Sequence, residues 1–251
     1  MSIHTLKMKR LISLFLLFSL LCPDISKAVI GFDAAASNFT APPGASITWS
    51  HTVTTSGGSV VLVVGVNATG TTTTGVTYNG DAMTSLSTQA YNGATDEVSL
   101  WYLISPDTGA NNVIVTLAGA SAGAQAGSIS LTGVDQTDPL DANNCTSGSS
   151  ANPSVSVTTV GDNSWLADIV GETSGSTTLT VGGSQTQRWS RAEITSSGGG
   201  STRGPISPPA ATTMTWTIGA SGPWAHCAVS LAEAAQVTKD DPTLLLLTGS
   251  N

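Results

Sequence analysis

The sequence predicts an all-β protein, an antiparallel β-sandwich of the jelly-roll kind. Three observations carry that expectation. Apolar residues alternate with period two along many short runs. Thr and Val are enriched in those runs, as pleated, half-buried surfaces favour. Gly, Asn, Asp and Pro punctuate them at turn positions. No stretch carries a convincing helical pattern.

The chain has 251 residues. Its start reads as an export signal: Lys7, Lys9 and Arg10, the apolar run 11–21, then Ser26-Lys27-Ala28 with small residues at the −3 and −1 positions of a cleavage site. The run is too short for the ~20 residues of a membrane-spanning helix. Cys22 follows Leu21, where a lipid-anchor signal wants a small residue, so the signal peptide 1–28 is the better reading. Cleavage there removes four of the eight basic residues and one of the sixteen acidic ones, leaving a net charge of 4 − 15 = −11. Such a charge argues against nucleic acid and anionic membranes as partners, because both need a basic footprint. No later segment is long enough to span a bilayer. The expected location is outside the cell or on its surface.

The strands follow in order. Residues 47–53 precede a turn at Ser56-Gly57-Gly58. Residues 60–66 are nearly all apolar, which predicts cover on both faces. Residues 76–78 meet Asn79-Gly80, the strongest short hairpin signal, before 82–84. In the next run Val98, Leu100, Tyr102 and Ile104 point one way, and Glu97, Ser99, Trp101 and Leu103 the other. Ser105-Pro106-Asp107-Thr108-Gly109 reverses the chain, Pro presetting φ and Gly accepting φ > 0. Val113, Val115 and Leu117 resume one face. Residues 127–132, 154–159, 165–170, 186–190, 213–218 and 227–231 complete the set.

A sandwich domain is expected over 29–235, with a C-terminal tail at 236–251. Thr54-Thr55 matches Thr158-Thr159, Gly119-Ala120-Ser121 matches Gly219-Ala220-Ser221, and SISL at 128–131 matches AVSL at 228–231, all at near-constant offset. These matches suggest two related halves, 29–135 and 153–235, joined by a polar loop at 136–152. That loop reads either as a linker between domains or as a long loop within one compact sandwich, the preferred reading. Cys145 and Cys227 are the only thiols after cleavage. In an oxidising compartment they are expected to form one disulfide, tying the loop to the last strand.

The runs VTYNGDAMT (76–84), SLWYLISPDTGANNVIVTL (99–117), SISLTGVDQTDPLD (128–141), TQRW (186–189) and MTWTIGASGPWAHCAVSLAEA (214–234) form a recognisable series. Together they resemble a widespread module of bacterial and phage-associated secreted proteins, jelly-roll-like β-sandwiches that often adjoin surface or carbohydrate-active proteins. The resemblance covers most of 46–234. It rests on framework signatures, so it implies fold and an extracellular setting and assigns no functional residue.

Few residues offer chemistry. Gly119-Ala120-Ser121-Ala122-Gly123 matches a nucleophile pattern, but that pattern needs a strand before it and a helix after it, and a strand is expected instead. His51 and His226 fall on expected strands, where a sheet-face role outweighs ligation. Adjacent Asp96 and Glu97 face opposite sides, poor geometry for a carboxylate pair across a cleft. Asp135, Asp138 and Asp141 form an oxygen-rich loop, a weak calcium site and otherwise turn formers; no other cofactor is implied. Arg188, Trp189, Arg191 and Arg203 concentrate three of the four basic residues of the mature chain around one tryptophan. Trp stacks on sugar rings and Arg grips carboxylates, so this strip is the candidate ligand site; the competing reading makes Trp189 core. Leu244, Leu245, Leu246 and Leu247 form an apolar tail suited to adding a strand to a neighbouring copy. The expected function is a non-enzymatic binding module for carbohydrate. The alternative is a structural subunit assembled through the tail. A secreted hydrolase ranks last.

Overall fold

The computed structural model describes residues 28–234 apart from 41–43, 56–57, 176–177 and 194–195. The leucine tail therefore lies outside the described residues, as does the predicted export signal up to Lys27. Among the described residues every element is a strand: β1 (Gly31–Thr40), β2 (Gly44–Val53), β3 (Val61–Thr69), β4 (Thr73–Tyr78), β5 (Asp81–Ala82), β6 (Thr84–Tyr91), β7 (Asp96–Ile104), β8 (Gly109–Ser121), β9 (Gly123–Thr132), β10 (Leu140–Ser150), β11 (Ser154–Thr158), β12 (Ser164–Glu172), β13 (Thr180–Val181), β14 (Thr186–Ala192), β15 (Ser197–Ile206), β16 (Ala211–Thr217) and β17 (Gly222–Leu231). The predicted all-β antiparallel sandwich is what forms.

Four sheets stack in layers. An inner sheet β1-β9-β3-β7-β6 and an outer sheet β2-β8-β4-β5 make the first sandwich. An inner sheet β10-β17-β12-β15-β14 and outer strands β11-β16-β13 make the second. The strand order of the second repeats that of the first, with the chain weaving between sheets as in a jelly roll. Even the irregularities repeat. β1 and β10 shift register at Asp33 and Asp141, and β6 and β14 at Leu86 and Arg188.

The two inner sheets face each other. β1 lies against β14, β9 against β15, β3 against β12, β7 against β17 and β6 against β10. This reversal of order is what a pseudo-two-fold axis running along β3 and β12 produces. On the axis, equivalent positions meet one another. Gly65 pairs with Gly127, and Ile169 with Cys227, at the same place in their sheets. A Cβ on Gly65 falls 2.7 Å from the Cβ of Ile169, and one on Gly171 falls 2.4 Å from the side-chain oxygen of Asn67. Two large side chains cannot share such a point, so each pair sets a side chain against none.

Three apolar layers result. Leu62, Val64, Trp101, Val113 and Val115 fill the first sandwich. Val61, Val63, Leu100, Ile129, Ile169, Trp189 and Val229 fill the space between the inner sheets. Met214 with Leu166, and Trp216 with Val170, fill the second sandwich. β3 is thus covered on both faces, as its apolar run predicts. Trp101 and Tyr102 point into different layers, as the alternation predicts. Asn79 and Gly80 both take positive φ, the conformation of a tight hairpin, and Tyr78 pairs with Asp81 across them.

One expectation is corrected. Much of the predicted loop 136–152 is β10, an edge strand paired along its length with β17. Its sequence is polar because one face of an edge strand meets solvent. Cys145 and Cys227 face each other directly in this pairing, 4.1 Å apart at Cα, and are disulfide-bonded. The bond thus fastens an edge strand to its neighbour. Open carbonyls of the outer sheets are capped by side chains from the adjoining inner edges: Asn38 Nδ2 donates to Thr48 O (2.8 Å), Asn144 Nδ2 to Ser156 O (3.0 Å) and Thr146 Oγ1 to Ser154 O (2.7 Å). Such caps blunt edges that otherwise template aggregation.

Candidate functional site

Both histidines among the described residues, His51 and His226, lie inside the sandwiches. His51, on β2, is fully buried against β9. Trp49 Nε1 donates to Ser128 Oγ (2.9 Å), and Ser130 Oγ donates to Asp33 Oδ2 (2.7 Å). His51 sits between those hydroxyls, Nδ1 2.9 Å from Ser128 Oγ and Nε2 3.0 Å from Ser130 Oγ. The bonds run one way only if Nε2 carries the proton, so we assign that tautomer. Burial holds the imidazole well below its ordinary range, at about 4, although Asp33 pulls in the other direction. For Asp33 burial raises the carboxyl, but hydrogen bonds from Thr54, Ser130 and Thr55 outweigh it, and the group titrates below its usual value.

This neutral histidine makes stability pH-dependent. An unfolded chain takes up the proton near pH 6.5, and the folded one refuses it until about pH 4. Stability is therefore full above 6.5 and falls as the pH drops towards 4. We expect the wild type to lose about 2 kcal/mol more than His51→Gln between pH 7 and pH 5 in urea titrations. Parallel losses in the two proteins would show that His51 is not the titrating group.

The second sandwich holds a denser cluster. Asp168, on β12, accepts from Trp216 Nε1 (2.9 Å) and His226 Nε2 (2.9 Å) at Oδ2. At Oδ1 it accepts from the backbone N–H of Ser201 (2.6 Å) and from Ser201 Oγ (2.8 Å). Gln185 Nε2 donates to Ser201 Oγ (2.9 Å), while its Oε1 accepts from Thr215 N (2.7 Å). A serine, a histidine and an aspartate meet here, but the aspartate stands between the other two. Ser201 donates to the carboxylate, so the imidazole has no hydroxyl to deprotonate. Asp168, Ser201 and His226 are all buried. This is internal scaffolding.

A third polar group lies between the inner sheets. Tyr91 OH donates to Asn67 Oδ1 (2.7 Å), Asn67 Nδ2 donates to Gln125 Oε1 (2.9 Å), and Gln125 Nε2 to Ser196 Oγ (2.9 Å). Burial, then the charges of Asp96 and Glu172, push the Tyr91 phenol well above its usual value. The phenol stays protonated and donating.

The other candidates are scattered. Ser121 ends β8, donates to Thr69 O (2.8 Å) and accepts from Gly123 N (3.1 Å); the chain runs on into β9, so no nucleophile elbow forms. Asp96 accepts from Gly70 N and Asn92 Nδ2, and Glu97 from Thr73 N, each bracing a different turn. Asp135 accepts from Thr137 N and Asp138 N within its own turn. Asp141 accepts from Val160 N, Gly161 N, Ser164 Oγ and Ser230 Oγ. It is the repeat of Asp33: both sit at the bulge of a first strand, both bind the serine of the last strand, and both hold the turn after the second strand. Asp138 is exposed. Among the described residues no group of three or more His, Cys, Asp or Glu is placed to hold a metal ion. The three aspartates are turn and bulge residues.

The Arg/Trp strip is partly assembled. Trp189 is only 5% exposed. Its indole is slotted between the inner sheets, where a Cβ on Gly127 would fall 2.2 Å from it and one on Gly200 2.3 Å. As a sugar-stacking platform it is ruled out by this burial. The arginines beside it reach the rim. The Arg188 guanidinium lies 3.7 Å above the ring of Phe32, and its Nε donates to Thr202 Oγ1 (2.8 Å). Burial lowers its pKa from the ordinary value. Arg191 Nε donates to Ser37 Oγ (3.1 Å) and Nη2 to Ser37 O (2.9 Å). Arg203 is on the other side of its sheet, with Nη1 donating to Thr213 O (3.0 Å), and does not join them. Phe32 and Phe39, from β1, are 40% and 36% exposed. No local pattern places these phenylalanines beside β14.

No helix among the described residues is long and apolar enough to cross a membrane. No family model, no curated protein and no solved structure matches the chain.

Proposed function

We propose that the chain is a non-enzymatic binding module of the extracellular space or cell surface, and that its ligand is a carbohydrate. The export-signal pattern and the acidic mature composition support the location. The row of half-exposed Phe32 and Phe39 beside Arg188 and Arg191, at the junction of the two sandwiches, carries the binding reading. Aromatic faces stack on the apolar faces of sugar rings, and guanidinium forks bond their oxygens. The residues of hydrolase chemistry support this reading by their engagement elsewhere: His51, Asp168 and His226 are buried and bonded inside the sandwiches.

A glycan array probed with the mature chain tests the proposal. Saturable binding is expected, and Phe39→Ala should weaken it about tenfold by removing one stacking face. An array with no saturable signal rules the reading out. Trp189→Ala is the wrong probe, because it disturbs the fold and not the rim.

A further inference from the structure

The pseudo-two-fold axis gives every residue of the β1–β14 seam a mate in the β6–β10 seam. Phe32 pairs with Leu131 and Leu140 with Leu231, so Phe32 and Leu140 are mates. Arg188 and Leu86 are the bulge residues of equivalent strands. Arg191 pairs with Gly198 and Gln89 with Val98, which makes those two mates. Ser37 and Cys145 correspond through their partners Gly127 and Cys227.

The mate seam shows what the architecture alone requires. Leu86 and Leu140 stand where Arg188 and Phe32 stand, and both pack into the apolar layer between the inner sheets. Gln89 stands where Arg191 stands, its amide 3.4 Å from Ser147 Oγ. One seam closes with Leu, Leu and Gln. The other closes with two guanidiniums, each drawn partly out of water at a cost. Neither has a carboxylate partner among the described residues, although the chain has sixteen acidic residues. Arg188, Arg191 and Arg203 are the basic residues of the described chain, and two of the three are on this seam.

Resting on the carbohydrate reading, we infer that the β1–β14 seam binds a short acidic oligosaccharide, with Arg188 and Arg191 each receiving a carboxylate. Each Nε is engaged, and the Arg188 guanidinium sits over the ring of Phe32, so both side chains are preorganised. Both terminal nitrogens of Arg188 and Nη1 of Arg191 have no acceptor among the described residues, and guanidinium N–H groups are the donors that carboxylates take best. Phe32 and Ser37 are on the order of 15 Å apart along β1. That separation spans more than one sugar ring, which selects an oligosaccharide over a monosaccharide. Phe39 supplies a ring-stacking face along the same strand. The net negative charge repels long polyanions, so length is limited as well as chemistry. Because β1 and β14 belong to different sandwiches, the ligand bridges the two.

Calorimetric titration of the mature chain tests the inference, with tetragalacturonate and a hyaluronan tetrasaccharide as acidic probes and maltotetraose as the neutral one. At least one acidic probe should bind ten or more times tighter than maltotetraose. The double variant Arg188→Leu, Arg191→Gln installs the residues of the mate seam and should fold with an unchanged thermal midpoint. It should lose acidic binding at least tenfold, while Arg203→Gln keeps it. Acidic binding that survives the double variant, or equal affinity for maltotetraose, overturns the acidic seam and leaves the carbohydrate reading intact. Failure of both acidic probes overturns the seam as well. Only a silent glycan array overturns the broader reading.

Discussion

Replacing Asp168 by alanine is expected to cost at least about 4 kcal/mol and to leave the chain largely unfolded at 37 °C. Asp168 serves as acceptor for the Ser201 backbone and hydroxyl, the Trp216 indole and the His226 ring. These donors come from β15, β16 and β17, so one carboxylate ties the inner sheet of the second sandwich to its outer strands. Removing it strands several donors where no water reaches them, at about 1–3 kcal/mol each. Asp168→Asn keeps the shape and one acceptor but turns an amide against other donors. An intermediate loss is expected. Urea denaturation measures both. A loss under 1 kcal/mol for the alanine variant would mean the cluster is not the tie described here.

Trp189→Ala should cost about 3–5 kcal/mol, as large buried aromatics do when truncated. The site cannot collapse to fill the void, because Gly127 and Gly200 line it and have no side chains to move. The loss should appear in the denaturation midpoint with little change in slope. Trp189→Phe should recover about half. A near-neutral Trp189→Ala would place the indole outside the layer between the inner sheets, and would reopen the ligand-platform reading.

What the sequence made legible follows from where each strand lies. β3, β7, β8 and β9 alternate or run apolar because they are covered on one or both faces, and all were expected. The turn at Asn79-Gly80 was legible from local chemistry, and the pairing of Cys145 with Cys227 from their being the only cysteines after the predicted export signal. β1, β10 and β15 were not. β1 and β10 are edge strands made largely of small or polar residues. β15 contains Gly198-Gly199-Gly200, which reads as loop. It is a strand because tryptophans approach it from both sides: Trp189 at Gly198 and Gly200, Trp216 at Gly199. No local pattern can report an indole donated by another strand.

The repeat was half legible. Ser130 and Ser230 lie in the matched segments SISL and AVSL, but their partners Asp33 and Asp141 are in strands whose sequences diverged. At the candidate site the cluster of basic residues was readable, and the fate of Trp189 was not. Its slot depends on Gly127, far away in sequence and in the other sandwich. Phe32, Phe39 and Ser37 escaped notice for the same reason. Only the pseudo-two-fold stacking brings β1 to β14.

That stacking is the central claim, and native-state amide exchange tests it most directly. β3 and β12 lie back to back along the axis, covered on both faces, each paired with a neighbouring strand on either side. Amides of Val61–Thr69 and of Ser164–Glu172 should therefore exchange only through global unfolding, with one shared free energy and one shared denaturant slope. Exchange from one of the two strands at a free energy several kcal/mol below the other would show that the sandwiches open independently, and would contradict a common layer between them.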